Sequence, residues 1–231
     1  MNSSRNSTAG PSQAANPSLG GSAETKSQAW GGHPRPRLVV GISGASGTIY
    51  GIRLLEALRE LDFETHLVMT RSARLTMSYE TSLKSADVEA LAAVHHRNED
   101  MAAPISSGSF RTLGMVVAPC SIRSLSEIAT GVTSGLLTRA ADVVLKERRR
   151  LVLMVRETPL HLGHLRSMAQ VTEIGAIVMP PVPALYNRPR SVDDIVDHSV
   201  GRVLDLFGIE NTLVRRWGEP DDGAADAAGA G

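Results

Sequence analysis

Glu157 follows Arg156 in the run Arg156-Glu157-Thr158-Pro159 and sets a carboxyl group beside an anion-binding guanidinium. Such a pair can move a proton next to a bound anion if its surroundings tune the acid, and it serves equally well as a structural ion pair. Gly41-Ile42-Ser43-Gly44-Ala45-Ser46-Gly47 is a turn of small residues whose amides and hydroxyls can approach a phosphate or a flat ring closely. It is not G-x-G-x-x-G, and Ala45 stands where a G-x-S-x-G nucleophile elbow needs its second glycine. Pro119-Cys120-Ser121-Ile122-Arg123-Ser124-Leu125-Ser126 gathers hydroxyls and a guanidinium, donors that suit a phosphate at a helix start. Ser121 also fits a plain helix cap, and Cys120 fits a small buried apolar residue better than a nucleophile.

Arg139, Asp142 and Lys146 stand at helical spacing and share one face beside an apolar stripe, whereas Arg148, Arg149 and Arg150 read as a solvated basic helix end. His161 and His164 with Glu157 resemble a metal set only superficially. Pro159 takes Glu157 off their helix, so hydrogen-bonding or partner-facing histidines are the better reading. Pro180, Pro181 and Pro183 exclude helix and sheet, leaving a stiff extended loop that presents Tyr186.

The elements that must position these groups alternate. Apolar runs at Leu38 to Ile42, Phe63 to Met69, Met115 to Pro119, Leu151 to Val155 and Ala176 to Met179 read as strands. Helical spacing is present at Tyr50 to Leu61, Ser72 to Glu80, Ser85 to Val94, after Pro119 through Ile128, Leu136 to Arg148, Leu162 to Glu173 and Ser191 to Phe207. Ser191 and Asp194 form a near capping box for the last helix and Gly208 closes it. Near-continuous apolar strands between helices predict a single Rossmann-like α/β domain, three layers deep, with a mainly parallel sheet covered on both faces. In such a sheet ligands lie beyond the carboxyl ends of the strands, where the glycine-rich turn, Pro119 to Ser126 and Arg156 to Pro159 fall.

Composition bounds the rest. Of 231 residues 42% are apolar, and 24 basic residues balance 24 acidic ones, so no global field draws polyanions or an acidic membrane. Aromatic residues at 3% are too few for a nucleic-acid stacking platform. The single cysteine, Cys120, excludes an internal disulfide framework and fits a reducing compartment. No run approaches the roughly 18 apolar residues of a membrane span, and no secretory signal is legible, so a cytoplasmic location is expected. Residues 1–36 and the acidic 218–231 lack apolar periodicity and are expected to be disordered tails around a domain spanning 37–217.

Five stretches together, the glycine-rich turn Gly41 to Gly47, Pro119-Cys120-Ser121, the run Leu136 to Arg149, Arg156 to Leu160 and Met179 to Pro183, closely resemble the UbiX-type flavin prenyltransferases. The resemblance covers essentially all of the core. It implies a flavoprotein that transfers a dimethylallyl group from dimethylallyl monophosphate to reduced FMN, building a fourth ring on the isoalloxazine. The prenylated FMN would be the cofactor of UbiD-type decarboxylases, in ubiquinone synthesis or aromatic-acid breakdown. Homo-oligomers, typically dodecamers with active sites where subunits meet, and independence from metals are implied as well.

By resemblance, Gly44, Ala45 and Ser46 would hold the flavin, with Ser46 beside its reactive nitrogen, and Thr70, Ser121, Ile122, Arg123, Ser124 and Arg156 would complete that site. Arg139, Lys146, Tyr186 and Arg202 would bind the prenyl phosphate, with Glu80 nearby and Trp217 closing over the prenyl group. Glu157 would be the proton donor and acceptor. Thr133-Ser134-Gly135 and Arg150 depart from the family pattern, at positions read as affecting oligomer contacts rather than chemistry. Two rivals remain. One is an FMN-dependent cysteine decarboxylase, whose Pro-Ala-Ser-Ala-Asn-Thr segment is replaced here by Pro119 to Ser124. The other is a non-catalytic flavin-holding subunit, which would not need Arg139, Lys146, Tyr186 and Glu157 together.

Overall fold

The computed structural model describes residues 35–214 and 216. Apart from residues 35 and 36, the two expected tails lie outside the described residues, as does Trp217. Six strands form one sheet: β1 (Arg37–Ile42), β2 (Glu64–Met69), β3 (Val94–Arg97), β4 (Gly114–Cys120), β5 (Arg150–Val155) and β6 (Ala176–Val178). All pair in parallel, in the order β3-β2-β1-β4-β5-β6. Seven helices cover the sheet: α1 (Thr48–Glu60), α2 (Arg71–Glu80), α3 (Ser85–Glu89), α4 (Ile122–Thr130), α5 (Leu136–Lys146), α6 (Leu162–Glu173) and α7 (Val192–Leu206). This is the single Rossmann-like domain expected, with every strand parallel.

The strands read as unbroken apolar runs because both faces are buried. In β1, Leu38, Val40 and Ile42 face one core with Ile52, Leu55 and Leu58 of α1 and Val196, Val200 and Val203 of α7. Val39 faces the opposite core, with Leu125 of α4, Leu137 and Ala141 of α5, and Val171 of α6. The alternation follows from the two-residue period of a strand. Each fully buried leucine in these layers contributes about 1.5–3 kcal/mol relative to exposure. At Gly51 a Cβ would stand 2.3 Å from the Ala118 carbonyl oxygen, so the absence of a side chain there lets α1 lie against β4.

One element differs from the sequence expectation. The helix from Ser85 stops at Glu89, and Val94–Arg97 forms β3 beside β2, with His66 opposite Val94 and Val68 opposite His96. The strand lacked an apolar signature because its buried contact is polar. His66 Nδ1 lies 2.9 Å from His96 Nε2, His66 Nε2 lies 3.1 Å from Glu64, and Arg37 donates to Glu64 at 2.7 Å. Burial lowers the pKa of both histidines, which favours a neutral pair able to hydrogen-bond to each other. The capping box at Ser191 and Asp194 is present as expected.

The strand order reverses between β1 and β4, whose carboxyl ends open the crevice where doubly wound sheets bind ligands. Among the described residues no helix is long and apolar enough to cross a membrane.

Candidate active site at the strand-order reversal

The glycine-rich turn after β1 and the Pro119-Cys120-Ser121 turn after β4 meet at this crevice through Ser43. Its buried hydroxyl donates to the Pro119 carbonyl at 2.9 Å and accepts the Ser121 N–H at 2.7 Å. Neighbouring strand ends are tied by backbone bonds, from Thr70 N–H to the Ile42 carbonyl and from Arg156 N–H to the Cys120 carbonyl. The residues expected after four different strands are therefore brought to one edge of the sheet.

A cavity of about 470 Å³ opens there, a volume suited to a cofactor-sized ligand. Of the expected flavin-site residues, Gly44, Thr70, Ser121, Ile122, Arg123 and Ser124 line it, and so does Glu157. A Cβ on Gly44 would stand 2.4 Å from that of Ser72, so the floor of the cavity requires glycine. Thr70 and Ser121 each cap the helix that follows, accepting from Ala73 N–H at 3.1 Å and Ser124 N–H at 3.3 Å. Both α2 and α4 thus direct their N-terminal ends, with the positive end of the helix dipole, at the crevice.

Sequence reasoning missed several lining groups. Arg71 and Ser72 open α2 after β2, and Asn98 and Glu99 follow the unrecognised β3. Asn98 caps α5, accepting Leu136 N–H on its backbone carbonyl at 2.7 Å and Leu137 N–H on its side chain at 3.1 Å. Glu127, Ser134 and Thr138 form a further wall. Burial raises the Glu127 pKa, but hydrogen bonds from Ser134 at 2.6 Å and Arg123 at 2.9 Å outweigh it and hold the carboxyl below its ordinary value. A signal for Asn98 existed in its place immediately beyond a strand end, had the strand been legible.

Glu80 sets a limit on the glycine-rich turn. From the last turn of α2 its carboxylate accepts Gly47 N–H at 2.9 Å, Thr48 N–H at 2.9 Å and the Thr48 hydroxyl at 2.8 Å. Burial works against the anion, yet the bonds from Ser46, Thr48 and Gly47 prevail and lower its pKa. The α1 N-terminus is thus already occupied by an internal anion. Of the two ligand parts the turn could accept, a flat ring fits what remains free, and a phosphate has its open helix ends at α2 and α4.

The remaining expected residues do not line this cavity. Ala45 is buried in the turn, while Ser46 and Arg156 are exposed near the crevice. Arg139 donates to the Ser106 carbonyl at 3.2 Å and to Asp142 at 2.8 Å, and Lys146 pairs with Glu147. Tyr186 and Arg202 sit elsewhere again, grouped around α7, where Tyr186 packs edge-on against His198 and Arg202 pairs with Asp205. Cys120 is fully buried, and burial pushes its thiol up to about 12. His161 caps α6 through Gly163 N–H at 3.0 Å and its ring lies against that of His164 at a tilt of 32°. Among the described residues no group of three or more His, Cys, Asp or Glu side chains is placed to hold a metal.

The sequence profile of the flavoprotein family matches residues 28–204. The flavin prenyltransferase UbiX of Escherichia coli (strain K12) is 64% identical over 184 residues, covering 78% of this chain and 97% of that protein. Two solved structures resemble the fold over nearly their own full length. AnUbiX (PadA1), in complex with FMN and dimethylallyl pyrophosphate, has 51% identity and a TM-score of 0.79, covering 81% of this chain and 100% of that one. The dodecameric FMN-dependent UbiX-like decarboxylase from Escherichia coli O157:H7 has 53% identity and a TM-score of 0.77, covering 78% and 98%.

Proposed function

The chain belongs to the flavoprotein family and is a flavin prenyltransferase of the UbiX type, and we propose that it moves the dimethylallyl group of dimethylallyl monophosphate onto reduced FMN at the β1–β4 crevice. The observation that carries this reading is the 64% identity over nearly the whole length of a flavin prenyltransferase, supported by a cavity that Gly44, Thr70 and Ser121 to Ser124 line. The cavity chemistry fits FMN. Arg71, Ser72 and the ends of α2 and α4 offer a phosphate cradle, and Ile122 and Leu137 offer apolar surface for a ring. When bound and reduced, the flavin supplies the electron-rich ring that accepts the prenyl group.

The protein's own groups handle the leaving phosphate and the protons. Breaking the allylic C–O bond leaves positive charge on the prenyl carbons and negative charge on phosphate, so fixed cations at the phosphate lower the barrier. Arg139, Lys146 and Arg202 are assigned that role, with the Tyr186 hydroxyl as a hydrogen-bond donor. Glu157, at the cavity wall, is assigned to protonate the departing phosphate and later to accept a proton, a contribution of about 10²–10⁴-fold for general acid–base catalysis. Ser46 and Arg156 at the rim are assigned to the flavin, and Trp217 to closure over the prenyl group. Glu80 acts by holding the turn that carries Ser46.

Arg139 and Lys146 stand outside the cavity of their own chain, which supports an active site shared between copies. Exposed apolar side chains, among them Leu162 and Leu165 on α6 and Val182 and Leu185 in the loop after β6, offer surface such an assembly would bury. The dodecameric relative makes a dodecamer the assembly expected here. The working domain is 37–217, the location cytoplasmic, and the prenylated flavin passes to a UbiD-type decarboxylase.

The deciding experiment is anaerobic incubation with reduced FMN and dimethylallyl monophosphate, followed by mass analysis of the released flavin. A gain of one C5H8 unit is expected. Unmodified FMN, with flavin binding verified and the diphosphate donor also tried, overturns the reading in favour of a flavin carrier.

A further inference from the structure

Tyr186 lies in the short 3-10 turn Leu185–Asn187, and His198 of α7 contacts two successive residues of that turn. The Tyr186 and His198 rings meet edge to face, with centroids 5.9 Å apart and planes at 87°. On the next residue of the turn, Asn187 Nδ2 lies 2.8 Å from His198 Nδ1. With the Asn187 amide donating, Nδ1 is the unprotonated nitrogen and the ring proton resides on Nε2. His198 also stands four residues before Arg202 and so on the same face of α7. One imidazole therefore joins the tyrosine-bearing turn to the helix that carries the arginine.

We propose that His198 is a positioning residue for the prenyl-phosphate site, holding the turn that carries Tyr186 against the helix that carries Arg202 so that hydroxyl and guanidinium serve as one donor set for a phosphate monoester. This rests on the reading that Tyr186 and Arg202 bind the prenyl phosphate. The charges acting on the imidazole are few. Burial lowers its pKa, Arg202 adds to that, and Asp205 opposes. Asp205 is itself held by Arg202 at 2.7 Å and Arg216 at 2.9 Å, and on the α1 side Asp197 is taken by Arg53 at 2.6 Å. The ring is thus neutral around pH 7, where Nδ1 can accept. Protonation in acid turns Nδ1 into a donor facing the Asn187 amide and loosens the turn.

The test is titration of dimethylallyl monophosphate into the protein loaded with oxidised FMN, where no turnover intervenes. His198→Phe keeps the ring contact and removes the acceptor. His198→Gln keeps an acceptor within reach of Asn187 and cannot titrate. The Phe variant is expected to weaken donor binding about 3- to 10-fold, the worth of one ordinary hydrogen bond, with FMN affinity unchanged and most of the loss restored in the Gln variant. Below about pH 6 donor affinity should fall more steeply in the wild type than in the Gln variant, because ionisation of the phosphate near that pH acts on both alike. Equal affinities in wild type and Phe variant overturn the proposal, as does a Gln variant no better than Phe with an unchanged pH profile. If the Phe variant does not fold, Asn187→Leu removes the other half of the bond and must show the same weakening. A wild type that binds the donor without prenylating FMN overturns the transfer reading alone, and one that does not bind it overturns both.

Discussion

The buried Ser43 hydroxyl accepts the Ser121 N–H at 2.7 Å while donating to the Pro119 carbonyl at 2.9 Å. One side chain from the turn after β1 thereby sets the start of α4 and the spacing of the two cavity walls. Ser43→Ala leaves the Ser121 N–H without its acceptor, and the expected cost is about 1–3 kcal/mol of stability, with weaker FMN binding. Urea unfolding of the flavin-free protein and a flavin titration read the two effects. A loss below a few tenths of a kcal/mol would show that the link contributes nothing.

Glu80 bonds the first amides of α1, so Glu80→Gln removes an anion from a helix N-terminus. A loss of about 1 kcal/mol is expected at pH 7, in line with loss of a helix cap. The carboxyl is held below its ordinary value, so its contribution is present above the unfolded pKa near ~4.3 and fades as pH falls through the lower folded value. Melting curves of the two proteins should therefore draw together as the pH falls below about 4, and a gap that does not narrow in acid contradicts the assignment.

Glu157→Gln tests the acid–base role. The variant should bind FMN as the wild type does, since a neutral side chain of the same shape still lines the cavity, and single-turnover prenylation should slow by about 10²-fold or more. Unchanged turnover removes Glu157 from the proton path.

Sharing of the site between copies predicts complementation. Lys146→Ala and Glu157→Gln, each nearly inactive alone, should regain activity when their subunits are dissociated and reassembled together, because some sites then receive both intact residues. Arg139→Ala should behave as Lys146→Ala does, with FMN affinity unchanged. No recovery in verified mixed oligomers places both residues in one subunit's site.

Cys120 should be chemically silent. Fully buried, with its thiol pushed up to about 12, it should resist an aromatic disulfide reagent in the native protein and react at once in denaturant. Rapid labelling of the native protein would show that the end of β4 opens in solution.

The strands with apolar signatures were legible because a parallel sheet covered on both faces must be built from residues such as Leu38 to Ile42 and Leu151 to Val155, and α1, α5, α6 and α7 because one face of each must meet that sheet. β3 was not. Val94-His95-His96-Arg97 is strand only because His66 of β2, itself held by Glu64, satisfies His96 across the pair, and no local pattern encodes a contact made 30 residues away. With β3 went Asn98 and Glu99, although Asn98 both lines the cavity and caps α5.

In the site, the sequence by itself determined the chemistry: glycines where Ser72 presses close, hydroxyls at the starts of α2 and α4, and a carboxyl after β5. Only the tertiary structure decided which of these groups meet. Strand order brings Gly44, Thr70, Ser121 and Glu157 to one cavity and leaves Arg139, Lys146, Tyr186 and Arg202 outside its lining. It also decided that Glu80 occupies amides the glycine-rich turn was read as offering to a ligand. The reason is that a residue's type fixes what it can bond, whereas its partner depends on chain segments far apart in sequence, and those are brought together only when the sheet closes around its core.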